Sequence, residues 1–573
     1  MAFEGGRLLS FPFWERGRPN LSVISDRIPK SCSTIESENS HRVKGRWRRG
    51  VAWLTSSILG LFLALSAVAA APERLILGQM NDPTTLNPLY IIGTMDLEVG
   101  GLLYSRLFTF DEEGRIVPEV AQSVPTIANK GISSDGLTIT YHLRRNVRWS
   151  DGQPLTSKDI LFTHAAVMNP RNAVPIQYGD DEIKSISAPD AYTIRVRLRE
   201  RNAAFVSSFD RNILPEHLLS NAGPLNKAEF NAQPIGSGPY RLSKWIRGDR
   251  LIFDRNEAYW GPRPDIPQII VRIIPNQATI LVQLQSGEID AAMSVDPSNL
   301  NAIKRLPEKQ IILKPTRTAI VMVFNTRNSL FHDVVLRQAV SLAINREAFI
   351  REAGLDFLDP KGGLSAIFGW AADPKIQEPA FDPVKANRIL DADGWRRGND
   401  GIRVKNGQRL SITLDTHADS PFLTKMANLI QQALRETGID STTKTYNVAQ
   451  LFSFGALGPI HSGHFDMLLS AFAAEPDPDP TWLLGCKGDK PVPYNFAAFC
   501  DPSIERDLQK GRSSYDVTTR LRAYSSVERR TIDTAPIVFL AQTKDISAIP
   551  VALRGVNPSP SFGPYWNVGL WTF

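Results

Sequence analysis

The signatures of an enzyme are missing from this chain. It has no HExxH, no GxSxG elbow and no P-loop, which removes the motif-based routes to a zincin, an α/β-hydrolase or a nucleotide-driven enzyme. The turn Gly236-Ser237-Gly238-Pro239 has neither the third glycine nor the helix start of a dinucleotide site. Histidine is sparse, with 8 residues. His461 and His464 lie three apart in a glycine-containing segment, with no close Cys or His to complete a metal set. No catalytic residues, metal or cofactor are expected. Cysteine is scarcer still, three in 573 residues, too few for a disulfide-built scaffold. There is no internal repeat and no long Gly/Ser linker.

Net charge is also missing from most of the chain. Residues 1–71 hold 10 of the 65 Lys and Arg and 5 of the 59 Asp and Glu, which leaves 55 against 54 in residues 72–573. The basic pI therefore belongs to the N-terminus, and no nucleic-acid partner is expected. Long apolar runs are absent apart from one, Leu54–Ala71. It follows a basic patch, Lys44-Gly45-Arg46-Trp47-Arg48-Arg49, and ends in small residues with A-x-A at Ala67–Ala69 and Ala69–Ala71. Basic region, apolar core and small-residue exit define a secretory signal, so residues 1–71 are expected to be a cleaved leader. An uncleaved membrane anchor is the alternative. Residues 1–42 precede the basic patch by more than a signal usually allows and are expected to be a mis-called or unstructured extension. No cysteine marks the junction, so a lipid anchor is not expected. The periplasm of a bacterium with two membranes fits such a chain.

About 500 exported residues, with 42% hydrophobic composition overall, imply an ordered chain of more than one domain, and the alternation of helix and strand beyond Met293 reads as α/β. Arg74–Gln79 reads as a strand and Leu97–Phe110 as a helix. Ile139, Tyr141 and Leu143 alternate with Thr138, Thr140 and His142, the period of a half-buried strand. Thr156-x-x-Asp159 resembles a capping box opening a helix Ser157–Met168, which Asn169-Pro170 ends. Further on, Asp333 and Asp382-Pro383 start helices, and Leu423–Thr437 is an amphipathic helix stopped by Gly438. Cys486 and Cys500 lie close together, and in an oxidising compartment such a pair is read as a disulfide, with two separate thiols as the alternative.

Several blocks are more particular. They are GSGPY at Gly236–Tyr240, NEAYW at Asn256–Trp260, LQSGEID at Leu284–Asp290, DPTTLNP at Asp82–Pro88 and the stretch Ser134–Asp159. In sequence and order they resemble the dipeptide/oligopeptide/nickel-binding family (family 5) of extracellular solute-binding proteins, the receptors of ABC importers. The resemblance covers nearly all of residues 72–573. It implies a two-lobed periplasmic binding protein fold with a hinge and a small domain inserted in the N-terminal lobe. Lobe one would comprise 72–109, 236–324 and 545–573, its insert 110–235, and lobe two 325–544.

The resemblance also points to Ser470–Leu484, SAFAAEPDPDPTWLL, where the family often reads W-x-x-D-Y-P-D-P-x-x-F-L. In peptide-binding members the aromatic lines the pocket and the first acid holds the ligand's amino terminus. Phe472 takes the aromatic place, Glu475 the first acid, Asp479-Pro480 the second acid-proline pair, and Trp482 lies near the apolar positions that follow. Glu replaces Asp, and one extra residue separates the acids. With Asp477, the loop suits a cationic, partly apolar solute, against the plain alternative of a solvated acidic turn. Trp370, in the loop AIFGW, is a second aromatic candidate or a core residue, and Asn325 falls at the hinge by analogy with the family. Dipeptide-binding members also often carry two cysteines around a Tyr after this loop, the place of Tyr494 here.

The implied function is capture of a peptide by lobe closure and its delivery to an inner-membrane permease pair with separate ATPase subunits, the receptor itself being a monomer. A non-peptide solute (a nickel complex, an opine, an oligosaccharide or a heme-like ligand) or a signalling role without transport is the alternative.

Overall fold

The computed structural model describes residues 73–91, 94–175, 179–209, 212–453 and 458–573; the leader and Cys32 fall outside them. The frame is an 11-stranded mixed sheet. At one end Arg74–Gln79 runs parallel to Gln268–Ile273 and to Ala291–Ala292, followed outward by Arg250–Arg255 and Tyr240–Ile246. At the other end Ser411–His417 lies between Met467–Ala473 and Asp440–Tyr446, parallel to both. The parallel pair Ser411–His417 and Asp440–Tyr446 needs a crossover, and helix Pro421–Thr437 supplies it, stopped by Gly438 at φ 85.

Two long strands join the halves. Lys309–Phe324 and Ile537–Pro550 pair antiparallel from Lys309↔Pro550 to Val323↔Ile537, with register breaks between Pro315 and Ala319 and between Ile320 and Val321. Before the first break the pair belongs with Ala291–Ala292; after it, with Met467–Ala473. Pro315 offers no N–H to the ladder, so a break there costs little pairing. One core gathers Leu75, Leu77, Leu251, Phe253 and Val271; a second gathers Leu336, Val340, Leu414, Ile430 and Leu434 and runs on through Ile320 and Met322 to Ile280, Leu284 and Ile289 of the first half.

Between the first strand and Tyr240 the chain builds a separate three-stranded antiparallel sheet, Thr138–His142, Thr193–Leu198 and Ile183–Asp190. Ile139 and Tyr141 are buried while Thr138, Thr140 and His142 are not, as alternation requires. Helix Ser157–Met168 has the full capping box: Thr156 accepts from the helix backbone and Asp159 accepts from the Thr156 N–H at 2.7 Å.

The expected helix Leu97–Phe110 needs correction. The helix is Thr94–Leu103, and Phe108–Phe110 is a strand paired with Ile116–Pro118. The Leu103 carbonyl accepts instead from the Gly238 N–H at 2.8 Å. A Cβ on Gly236 would lie 1.9 Å from that carbonyl oxygen, so the glycine turn docks on the helix end and stops it.

Candidate functional site

A cleft of about 1020 Å³ opens among the described residues. One wall comes from the turn Glu112–Ile116 and from Val124–Ala128 and Ala203–Ser207; the other from Pro315–Arg317, Trp370, Pro476-Asp477 and the segment Tyr515–Arg520. The walls meet along one edge. Arg512 pairs with Glu182 at 2.8 Å, and its carbonyl accepts from the Ala203 N–H at 2.7 Å. The Tyr515 hydroxyl lies 3.0 and 3.2 Å from the carbonyl oxygens of Gly136 and Asn202.

The acidic loop divides its three acids among different jobs. Asp477 lines the cleft but is gripped by Arg520, whose Nη1 donates to Oδ2 at 3.0 Å and whose Nη2 bonds Oδ1. Both side chains are about nine-tenths buried. Asp479 is buried away from the cleft lining. Its Oδ1 accepts from Thr481, and Arg512 lies 3.8 Å from Oδ2. Burial pushes its carboxyl above the ordinary carboxylate range, with Arg512 opposing. Glu475 is exposed, and its carbonyl accepts from Arg317 Nε at 2.7 Å.

The aromatic candidates also separate. Trp370 lines the cleft, 46% exposed, with the Arg520 guanidinium 5.3 Å above its ring. Phe472 and Trp482 do not line it; they pack on each other at 6.4 Å and join Phe496 and Tyr494 in a cluster beside it. Asn325 is buried and donates to the carbonyls of Gly463 and Phe465 at 2.9 and 2.8 Å, so its side chain fixes a loop rather than facing the cleft. The structure thus brings Trp370 and Asp477 together and leaves Phe472, Trp482, Asp479 and Asn325 in supporting positions. Cys486 and Cys500 are linked. The bridge ties the end of the acidic loop to the start of helix Pro502–Ser513, whose last turn carries Arg512.

Two cleft residues escaped the sequence reading: Arg317 and Arg520. The available signal for Arg317 was the polar interruption Pro315-Thr316-Arg317-Thr318 ahead of an otherwise apolar strand. Arg317 is 9% exposed, and burial lowers its pKa to about 10, with Asp477 and Glu475 opposing, so it stays charged at neutral pH. Among the described residues no group of three His, Cys, Asp or Glu is placed to hold a metal ion.

The cleft thus lies between the body built on the separate three-stranded sheet and the far half of the main sheet, with the long strand itself supplying Pro315–Arg317. Residues 115–491 match the family model described as Bacterial extracellular solute-binding proteins, family 5 Middle. The chain belongs to that family. It is 24% identical over 518 residues to the oligopeptide-binding protein AppA of Bacillus subtilis, covering 88% of this chain and 92% of that protein. Among solved structures it resembles NikZ from Campylobacter jejuni, crystallised in complex with Ni(L-His), at 26% identity and TM-score 0.72 over 87% of this chain and 99% of that one. It also resembles the ABC transporter substrate-binding protein CtaP from Listeria monocytogenes, at 22% identity and TM-score 0.77 over 88% and 99%. Members of the family bind solutes for transport and are not enzymes.

Proposed function

We propose that this chain is the periplasmic receptor of an ABC importer, that it captures a peptide in the cleft by lobe closure, and that it passes the peptide to a permease pair driven by separate ATPase subunits. The observation that carries this reading is the cleft itself. Its volume, about 1020 Å³, reaches the upper end of the range for small-molecule sites, about 300–1,000 Å³. One wall falls in the segment assigned below as the insert of the first lobe, and the other on the long strand Lys309–Phe324 and in the segment assigned to the second lobe. A solute touching both walls contributes its contacts only in the closed form, and this differential affinity is what drives closure.

The lobes are assigned as 72–109, 236–324 and 545–573 for the first, with 110–235 as its insert, and 325–544 for the second. Of the loop acids, Glu475 is the one proposed to receive a ligand amine, with Trp370 as the aromatic wall. The chain itself turns over nothing and works as a monomer. The leader 1–71 is removed on export near Ala69 or Ala71.

Native mass spectrometry of protein purified from the periplasm tests the reading. A mature N-terminus near Pro72 and a co-purifying peptide are the expected result. A co-purifying nickel chelate, opine or sugar moves the protein to another branch of the family, and a membrane-bound chain retaining Leu54–Leu65 overturns the assigned compartment.

A further inference from the structure

Arg317 sits where the long strand Lys309–Phe324 breaks register, between Pro315 and Ala319, so its side chain leaves the ladder and lines the cleft. Its backbone is fixed on both sides: the N–H donates to the Pro560 carbonyl at 3.2 Å and the carbonyl accepts from the Ala474 N–H at 2.8 Å. The side chain is held at one point, Nε on the Glu475 carbonyl at 2.7 Å. It lies against Gly369, whose φ is +50 and where a Cβ would come within 2.6 Å of Nη1; a side chain there would displace the guanidinium. Nη2 is buried and has no hydrogen-bond partner. Asp477, which lines the same cleft, spends both oxygens on Arg520. Arg520 lines the same cleft and has an unpartnered buried N–H of its own, at Nε.

Two buried guanidinium groups, each with a donor unspent, call for an acceptor from outside the protein. A buried donor left without a partner is costly, and a charged one more so. The acceptor that matches a planar N–H fork is a carboxylate, bound by charge-assisted bonds. Apolar surface from Trp370, Ile127, Val206 and Val517 lines the same cleft, room for the uncharged part of such a solute.

We propose that the cleft holds its solute by a carboxylate and that Arg317, on the strand joining the two lobes, is the residue that receives it, with Arg520 as the second donor. The anchor and the hinge strand are then one element, so binding acts directly on the segment about which the lobes move. This rests on the cleft being the solute site. The carboxylate is either the terminus of a peptide or an acidic side chain.

The test is calorimetric titration of the mature protein with three pools of di- to pentapeptides: free acids; C-terminal amides without acidic residues; and C-terminal amides containing Asp or Glu. The expected result is tight binding of the free acids, with the neutral amides and Arg317→Gln each about 10- to 100-fold weaker. In Arg317→Gln, acids and amides should bind alike, which a general loss of packing would not produce. Arg317→Lys, which keeps the charge without the fork, should fall between, and it serves if the Gln variant does not fold. Binding of only the acidic amides beside the free acids that contain Asp or Glu identifies the side-chain source. Equal binding of acids and neutral amides by wild type overturns the carboxylate anchor while leaving the cleft reading intact. Peptide binding unmoved by Trp370→Ala overturns the cleft reading itself, and wild type that binds none of the pools overturns both.

Discussion

Asp477→Asn should destabilise the fold strongly, although the residue lines the cleft. The substitution keeps the shape and the Oδ1 that accepts from the Asp479 N–H at 3.1 Å. It removes the charge opposite Arg520 and turns an amide NH₂ toward guanidinium donors. Arg520 is 8% exposed at its side chain and Asp477 10%. The remaining neighbours of Arg520 are the Tyr524 hydroxyl at 3.3 Å and the rings of Trp370 and Tyr524 at 5.3 and 5.4 Å. Neither ring replaces a carboxylate, so a buried cation is left unpaired. Breaking such a pair costs about 3–5 kcal/mol. Adding Arg520→Met to Asp477→Asn removes the stranded charge and should recover at least about 2 kcal/mol, because the two sites couple directly. The assay is urea unfolding of wild type, both single variants and the double variant at neutral pH, comparing midpoints of the same transition. Glu475→Gln is the internal contrast. Its side chain is exposed in a loop, so its midpoint should stay within about 0.5 kcal/mol of wild type, while affinity for amine-bearing peptides falls about 10- to 100-fold. An Asp477→Asn midpoint matching wild type, together with a loss of peptide affinity, would falsify the structural role and return Asp477 to the ligand.

Replacing both Cys486 and Cys500 by Ser opens a loop with a sequence separation of 14, and the chain-entropy model puts the loss at about 3 kcal/mol. A reduced, alkylated wild type should match the double variant, and a midpoint indifferent to reduction would contradict the estimate. Glu98 gives a pH dependence. Burial and then the nearby Asp545 raise its pKa to about 8, against the hydrogen bonds from Ser294 and Gln79. An acid raised in the folded state binds more protons folded than unfolded. Its favourable neutral state is fully present below the unfolded carboxyl range and is lost as pH rises to about 8. Stability should therefore decline from pH 5 to pH 8, and Glu98→Gln should flatten that decline; equal slopes in the two proteins would rule out this assignment.

Local rules were readable wherever a residue's partner lies within a few positions. The capping box at Thr156–Asp159, the N-caps Asp333 and Asp382, and the stop at Gly438 each depend on contacts inside one turn of helix. The helix expected to run to Phe110 failed because its end is set by Gly236 and Gly238, more than 130 positions away. The cleft fails to show in the sequence for the same reason. Its walls come from segments near positions 115, 127, 205, 316, 370, 477 and 517, and no periodicity links them. Within Ser470–Leu484 the residue types mark a special loop, but they do not say which acid is already paired. Asp477 meets Arg520 across 43 positions, and Asp479 meets Arg512. Pairing of that kind decides which charges are left for a solute. It turns a segment that reads as acidic into a cleft whose unspent buried groups are arginine N–H donors, and this is the observation on which the proposed carboxylate anchor rests.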